Sequence, residues 1–248
     1  MRKTADWVGP VLAYVGVIAV NGLANAIPIG GQTTGQVSAN HESLFTPAGF
    51  TFSIWSLIYF GLLLYVIWQA LPAQRNSSML SLVSKWFVLS CGFNAVWMIC
   101  WHYELIGLSM LMMLGILYCL VSANQVLLKA APQGIARLVV AVPFAIYVGW
   151  ITVATIANFS ALQVAWGFEA SGLTEVEWTQ LKLAVAGLIA AIVAVRLNIV
   201  SFVLVVAWAA NGIAAKQTAT PEVAGAAATL AILAVLLAVY AAWRQSRA

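Results

Sequence analysis

The stretch FTPAGFTFSIWSLIY, residues 45–59, decides the fold of this chain. It carries no charged residue, and Pro47 leads into an apolar run in which Trp55 and Tyr59 are four residues apart. Residues with that spacing lie on one face of a helix, so the run predicts an apolar helix with an aromatic face. Three later apolar stretches also combine an aromatic residue with an amide, and these pairs are Asn94/Trp97, Trp150/Asn158 and Trp208/Asn211. We therefore predict a bundle of helices around an aromatic pocket.

The composition places this bundle in a membrane. The chain has 248 residues, of which 63% are hydrophobic and 7% charged, whereas a soluble domain carries about 25% charged residues. Its apolar runs are continuous over about 20 residues, which is typical of membrane helices and not of the alternating strands of a membrane barrel. The sequence thus predicts an all-α, polytopic membrane protein. The net charge of +4 does not indicate nucleic-acid binding, because Lys and Arg are scattered near the predicted helix ends.

Eight membrane helices are predicted, with the polar, glycine-rich segment 29–46 as the longest connection. Their approximate ranges are 7–28, 49–71, 85–101, 105–129, 137–166, 179–195, 199–215 and 222–243. The sixth and seventh are short, and Arg196 between them marks either a tight turn or a break within one helix. The start of the chain also resembles a cleavable leader, but the first run is long enough to span and holds Asn21 and Asn25, which favour a retained helix.

The distribution of basic residues supports eight spans with both termini in the cytoplasm. In that arrangement the outer side holds only Lys182 and Lys216 of the 11 Lys and Arg residues. The inner side holds Arg2, Lys3, Arg75, Lys85, Lys129, Arg137, Arg196, Arg244 and Arg247. An excess of Lys and Arg in cytoplasmic loops is the positive-inside rule. The predicted outer acids are Glu42, Glu104, Glu169, Glu175, Glu177 and Glu222.

Few ionisable residues lie deep in the predicted spans, which argues against a proton-coupled pump and against an intramembrane metal enzyme. His41 and His102 are the two histidines of the chain, and neither has the spacing of a metal ligand. We predict that His102 and Glu104 form an interfacial polar pair, with a catalytic acid–base pair as the alternative. No catalytic and no metal-binding residue is predicted.

The spans are instead rich in amides and tryptophans. A buried amide needs hydrogen-bond partners, so an Asn in a span either joins two helices, which is worth about 0.6 kcal/mol, or faces a ligand. The amides in or near apolar runs include Asn21, Asn94, Asn124, Asn158, Asn198 and Asn211. Four tryptophans, Trp55, Trp97, Trp150 and Trp208, lie too deep to be interfacial anchors. They either pack in the core or form a stacking surface for a flat apolar ligand.

Three motifs resemble the TspO/MBR family, which comprises the translocator protein and the bacterial tryptophan-rich sensory proteins. The motifs are Pro47…Trp55…Tyr59, Phe93-Asn94-Ala95-Val96-Trp97 and Tyr147…Trp150…Ala154-Thr155…Asn158. The family has five helices and binds porphyrins, sterols and synthetic aromatic ligands in a cavity that the first loop covers. The resemblance covers about residues 7–166, so we predict a five-helix ligand-binding bundle over 1–166 and additional helices over 167–248.

The resemblance implies a set of ligand-binding residues that come from three helices and the loop before the second. They are Pro47, Trp55, Tyr59, Asn94, Trp97, Tyr147, Trp150, Ala154 and Asn158. The chain departs from the family pattern at Gly49, where the family usually has Trp, and in the added helices. Those helices are expected either to cover an outer face of the bundle or to form a second cavity around Trp208 and Asn211.

The leading hypothesis is a membrane receptor or sensor that binds a flat hydrophobic ligand, porphyrin-like (tetrapyrrole) or sterol-like. The alternatives are a small-molecule transporter or exporter and, less favoured, an enzyme that acts on a lipid or a pigment. A tetrapyrrole is a candidate ligand, and no cofactor is otherwise predicted. The expected partners are a hydrophobic small molecule, membrane lipid and a second copy of the chain, without nucleic acid. The expected location is the inner (plasma) membrane of a bacterium.

Overall fold

The computed structural model describes residues 2–167 and 172–247, which form helices joined by short turns. Nine helices of more than one turn lie in these two ranges. They are α1 Thr4–Ala26, α2 Thr34–Asn40, α3 Ile54–Ala70, α4 Ser78–His102, α5 Ile106–Ala130, α6 Gly134–Trp166, α7 Glu175–Leu197, α8 Val200–Lys216 and α9 Pro221–Gln245. Glu169, one of the predicted outer acids, lies outside the described residues.

Seven of the described helices are long and apolar enough to cross a membrane, and α8 is a shorter apolar helix of 17 residues. A helix of that length rises about 25 Å, close to the roughly 30 Å of a bilayer's hydrocarbon core. The eight predicted spans are therefore all present, and α2 is an additional short helix in the first loop. The prediction of an all-α, multi-pass integral membrane protein is confirmed.

Five of the long helices form a closed ring. Around the ring, α1 packs on α3, α3 on α6, α6 on α5, α5 on α4, and α4 on α1. The remaining three helices form a layer outside the ring, in which α8 packs on α6, α9 packs on α8, and α7 packs on α9. The contact between α6 and α8 is close, because a Cβ on Gly149 would lie 3.2 Å from the carbonyl oxygen of Phe202. The added helices thus cover one outer face of the ring.

Several helices begin earlier than predicted, among them α4 and α6. The third span, α4, starts at Ser78 because the side chain of Ser77 accepts a hydrogen bond from a backbone N–H of the first turn, which is a common way to begin a helix. The fifth span, α6, starts at Gly134 and includes a π-helical segment, Arg137–Ala141. That wider turn lies just before Pro143, whose ring and missing N–H disturb regular α-helical hydrogen bonding.

The connection between α7 and α8 is a tight turn and not a break within one helix. The last turn of α7 is π-helical over Val193–Leu197, and Asn198 follows with a φ of 55°. Asparagine is one of the few residues that adopt this left-handed conformation readily, so it ends a helix well. The chain then re-enters a helix at Val200.

Residues 29–53, called the lid below, have more regular structure than the predicted loop. They contain two 3₁₀ turns, Ile29–Gly31 and Gly49–Ser53, with α2 between them. Thr33 and Gln36 start α2 with a reciprocal capping box, in which each side chain accepts a hydrogen bond from the other residue's backbone N–H. The sequence does not predict α2, because this helix has seven residues and a polar, glycine-containing sequence.

The first half of the lid is held by α4 and the turn after it. The indole Nε1 of Trp101 donates to the carbonyl oxygen of Thr34 at 3.2 Å. The carboxylate of Glu104 accepts from the side-chain amides of Gln32 at 2.9 Å and Asn40 at 3.1 Å. Both ends of α2 are therefore tied to one carboxylate.

The second half of the lid is held by α8. The backbone N–H of Ala48 donates to the carbonyl oxygen of Gly212 at 3.0 Å, and the indole Nε1 of Trp208 donates to the carbonyl oxygen of Thr51 at 2.9 Å. The approach is so close that a Cβ on Gly212 would lie 2.0 Å from Thr51 Oγ1. Trp208, considered above for a second cavity, thus contacts the lid, while Asn211 is exposed.

Candidate functional site

A cavity of about 710 Å³ lies inside the five-helix ring and is bounded on one side by the lid. Its lining is mostly apolar and aromatic, with side chains from all five ring helices, the lid and α8. The lining residues are Ile18, Asn21, Gly22, Thr34, Gly35, Ser38, Ala39, His41, Thr46, Pro47, Gly49, Phe52, Trp55, Tyr59, Trp97, Met98, Trp101, Met113, Trp150, Val153, Ala154, Ala157, Asn158, Ala161 and Lys216.

Most of the predicted ligand-binding residues line this cavity. Those that do are Pro47, Trp55, Tyr59, Trp97, Trp150, Ala154 and Asn158. The other two, Asn94 and Tyr147, are buried one layer behind the lining and support it. Tyr147 contacts the ring of Trp55 edge-on, and Asn94 hydrogen-bonds to Asn21, which does line the cavity. The structure therefore brings the predicted set together, and its role in ligand binding stays a prediction.

One aromatic cluster of the lining is built from α3, α6 and the lid. Trp55 and Tyr59, four residues apart on α3, stack with their ring centres 5.4 Å apart and their planes at 23°. The edge of Trp150 on α6 meets Trp55 at 6.2 Å, and Phe52 of the lid meets Trp150 at 5.9 Å. Stacked and edge-to-face pairs of this kind hold each other's orientation. The cluster therefore presents a defined aromatic surface to the cavity.

A second aromatic surface comes from α4. Trp97 and Trp101 are also four residues apart, and their rings stack at 5.6 Å with an interplanar angle of 20°. The indole Nε1 of Trp97 donates to Oδ1 of Asn158 on α6 at 2.9 Å, and the Asn158 amide donates to Ser109 Oγ on α5 at 3.1 Å. This chain of bonds joins three ring helices behind the aromatic surface, so it fixes the Trp97 ring.

The other buried amides also join helices. Asn21 on α1 donates to Asn94 on α4 at 2.8 Å, and Asn94 lies 3.4 Å from the hydroxyl of Tyr147 on α6. On α5, Asn124 donates to the carbonyl oxygen of Phe144 at 3.2 Å. These amides thus bond across helices, as the first interpretation predicts; Asn21 and Asn158 in addition line the cavity, and their role toward a ligand stays a prediction.

Trp150 is a lining residue with an unused hydrogen-bond donor. Its side chain is 3% exposed, and its Nε1 has no hydrogen-bond partner within residues 2–167 and 172–247. An unpaired buried N–H is costly, by about 1–3 kcal/mol. A molecule in the cavity with an acceptor atom at this position would remove that cost.

The mouth of the cavity is defined here by His41, Glu42, Glu104 and Lys216. Lys216 Nζ forms an ion pair with Glu42 Oε1 at 2.6 Å, and His41 Nε2 lies 3.6 Å from Glu104 Oε2. The hydrogen bond from Gln32, followed by that from Asn40, lowers the pKa of Glu104 below its ordinary value because both favour the ionised form.

The predicted pair of His102 and Glu104 does not form. His102 is buried, with Nδ1 2.9 Å from the carbonyl oxygen of Met98, whereas Glu104 faces the lid and His41. His41 and Lys216 line the cavity although neither was predicted as a site residue. One signal was available, because both lie on the predicted outer side together with the loop that covers the cavity.

Comparison with known proteins relates nearly the whole chain to one family. The family model described as "TSPO-like protein" matches residues 7–240. The match extends beyond Trp166 and includes α7, α8 and most of α9, so the boundary predicted at residue 166 stays a prediction. Searches of curated proteins and of solved structures find no match.

Proposed function

Because the chain belongs to the TSPO-like protein family, we propose that it is a membrane receptor or sensor that binds a flat hydrophobic ligand, porphyrin-like (tetrapyrrole) or sterol-like, in the cavity of its five-helix ring. The observation that carries this proposal is the aromatic lining of a lidded cavity. A volume of about 710 Å³ falls within the roughly 300–1,000 Å³ of small-molecule sites.

The shape and chemistry of the lining favour a planar ring system. Two pairs of stacked rings, Trp55/Tyr59 and Trp97/Trp101, come from different helices and both line the cavity. Aromatic faces bind other flat π-systems by offset stacking. The unpaired Nε1 of Trp150 adds one hydrogen-bond donor for an acceptor atom of the ligand.

Binding can be measured with protoporphyrin added to the detergent-extracted protein. The ligand's own absorption band is the readout, since it is unaffected by removal of protein tryptophans. We expect a saturable shift of this band, and a weaker affinity in the double variant Trp55→Phe/Trp150→Phe. Trp243→Phe is the matched control, because Trp243 is an exposed residue at the end of α9 and does not line the cavity.

The proposal would be wrong if no tetrapyrrole and no sterol gave saturable binding. Equal loss of affinity in Trp243→Phe and in the double variant would also contradict it, since the effect would then not come from the cavity. Uptake of the ligand into liposomes that contain the protein distinguishes the transporter alternative, because a receptor binds without accumulation.

We further propose that the end of the bundle opposite the lid faces the cytoplasm, in the plasma membrane of a bacterium. At that end the backbone N–H of Arg2 donates to the carbonyl oxygen of Arg75 at 2.7 Å, and Arg137 donates to the side chain of Gln245. Basic residues distant in sequence thus cluster at one end, as the positive-inside rule requires. Chemical labelling of single cysteines in intact cells tests this orientation.

A further inference from the structure

We infer that Lys216 binds an anionic group of the ligand at the mouth, so that the cavity takes a flat amphipathic acid in preference to a neutral molecule of the same shape. This inference rests on the proposed function and narrows its ligand class. It assigns to α8 a direct part in recognition, in addition to holding the lid.

The charge of the lining supports this assignment. Among the lining residues within the described ranges, Lys216 and His41 are those that can carry positive charge, and none is acidic. The rest of the lining is apolar, aromatic, amide or hydroxyl. A ligand in this cavity therefore meets the positive charge of the lining at one place, the mouth, where the exposed carboxylate of Glu42 balances it while the ligand is absent.

The present partner of Lys216 can give way to a ligand. Glu42 is the residue 2.6 Å from Lys216 Nζ, and its side chain is 54% exposed, so water solvates its carboxylate when it leaves. The Lys216 side chain is 31% exposed and is thus partly shielded from water. An ammonium group has three donor hydrogens, so a ligand carboxylate can either replace Glu42 or share the ammonium with it.

The position of Lys216 is fixed by the fold. It is the last residue of α8, one turn after Gly212, whose carbonyl oxygen accepts the lid hydrogen bond from Ala48. On the next residue, the Gln217 side chain lies 3.5 Å from the carbonyl oxygen of Thr46. The same contacts that hold the lid therefore place an ammonium group at the mouth, next to the apolar walls of the cavity.

A ligand bound in this way has a defined orientation. Its flat body lies against Trp55 and Trp97 inside the ring, and its acid group points to the mouth. Amphipathic molecules with a rigid planar body and a carboxylate fit this arrangement. A neutral sterol can offer the ammonium group a hydroxyl oxygen but no negative charge, so it makes the weaker, uncharged interaction.

The test compares protoporphyrin IX with its dimethyl ester, which has the same ring but no carboxylate. Each affinity is expressed relative to the wild-type protein, because this ratio cancels the different partition of the two probes into detergent. Lys216→Gln should weaken the acid about tenfold, the effect of losing one charge-assisted hydrogen bond, and change the ester less than twofold. Lys129→Gln, an exposed lysine in the last turn of α5, is the matched control and should change neither.

Two further variants keep the inference testable if Lys216→Gln does not fold. Lys216→Arg retains the charge and should keep acid binding, while Glu42→Gln removes the competing carboxylate and should strengthen acid binding without affecting the ester. Equal losses for acid and ester in Lys216→Gln, or no loss for either, would overturn the inference and leave the proposed function intact. If neither probe binds the wild-type protein, the proposed function and this inference both fail.

Discussion

Replacement of Gly212 by alanine tests how the second half of the lid is held. A Cβ at this position would lie 2.0 Å from Thr51 Oγ1 and 2.9 Å from Thr51 Cγ2, whereas nonbonded carbon atoms rest about 3.5–4.0 Å apart. Thr51 must therefore retreat by roughly 1.5 Å. That movement breaks the hydrogen bonds from Ala48 to Gly212 and from Trp208 to Thr51, which measure 3.0 and 2.9 Å.

The size of the effect follows from two alternative costs. Loss of two hydrogen bonds costs about 1–3 kcal/mol, and overpacking costs about 1–3 kcal/mol if the lid stays in place. The higher helix propensity of alanine cancels, because α8 is helical with the lid closed and with the lid open. We expect the free energy of lid opening to fall by on the order of 2 kcal/mol.

Amide hydrogen exchange at Ala48 measures this opening directly, because its N–H is the group bonded to Gly212. A loss of about 2 kcal/mol corresponds to roughly 30-fold faster exchange. Gly225→Ala is the matched control, since Gly225 is an exposed helical glycine with open space around its Cβ position. The double variant Gly212→Ala/Thr51→Ala removes the two closest atoms and should recover most of the protection. Unchanged exchange at Ala48 in Gly212→Ala would refute the reasoning.

Three other predictions follow from buried groups and from the mouth. Thr51→Val should leave the thermal midpoint in detergent unchanged or raise it, because the buried Thr51 hydroxyl has no partner in the described part of the chain; a clear fall would contradict this. Trp97→Phe should destabilise the protein by about 1–3 kcal/mol, because it removes the hydrogen bond to Asn158 Oδ1 and leaves that acceptor less satisfied. A thermal midpoint equal to that of Trp243→Phe would show that this hydrogen bond contributes nothing to stability. The pKa of Glu104 is lowered in the folded protein, so its ionised carboxylate stabilises the lid. This contribution is complete above the ordinary carboxyl pKa of about 4.3. It is lost as the pH falls through the folded-state pKa of Glu104. Proteolysis of the lid should therefore accelerate in acid in the wild type but not in Glu104→Gln, and parallel profiles would contradict the assignment.

The sequence predicted the number of spans well because each span is an almost uninterrupted apolar run. The helix starts were harder, since polar residues such as Ser78 continue a helix once Ser77 has capped it. The π-helical turn before Pro143 has no signature in hydropathy. Helix α2 was missed because the stability of so short a helix depends on contacts such as those of Glu104, which lie far away in sequence.

The candidate site was predicted in part because helical spacing reveals a shared face. That spacing grouped Trp55 with Tyr59, and this pair stacks in the structure. Trp97 and Trp101 have the same spacing in the sequence and also stack. Spacing does not reveal which helices become neighbours. The contribution of Lys216 depends on α8, a helix outside the ring, packing against α6, so the predicted position of Lys216 on the outer side did not suffice to place it in the site.

The division of the lid between two attachments has a kinetic consequence. Its first half is tied to α4 and Glu104, and its second half is tied to α8, with α2 ending between them. We expect release of one attachment to leave the other intact, so that a ligand of the proposed site can enter after only half of the lid has moved. On that proposal the weaker attachment sets the rate of entry, and strengthening the stronger one raises the resting stability of the protein without slowing entry.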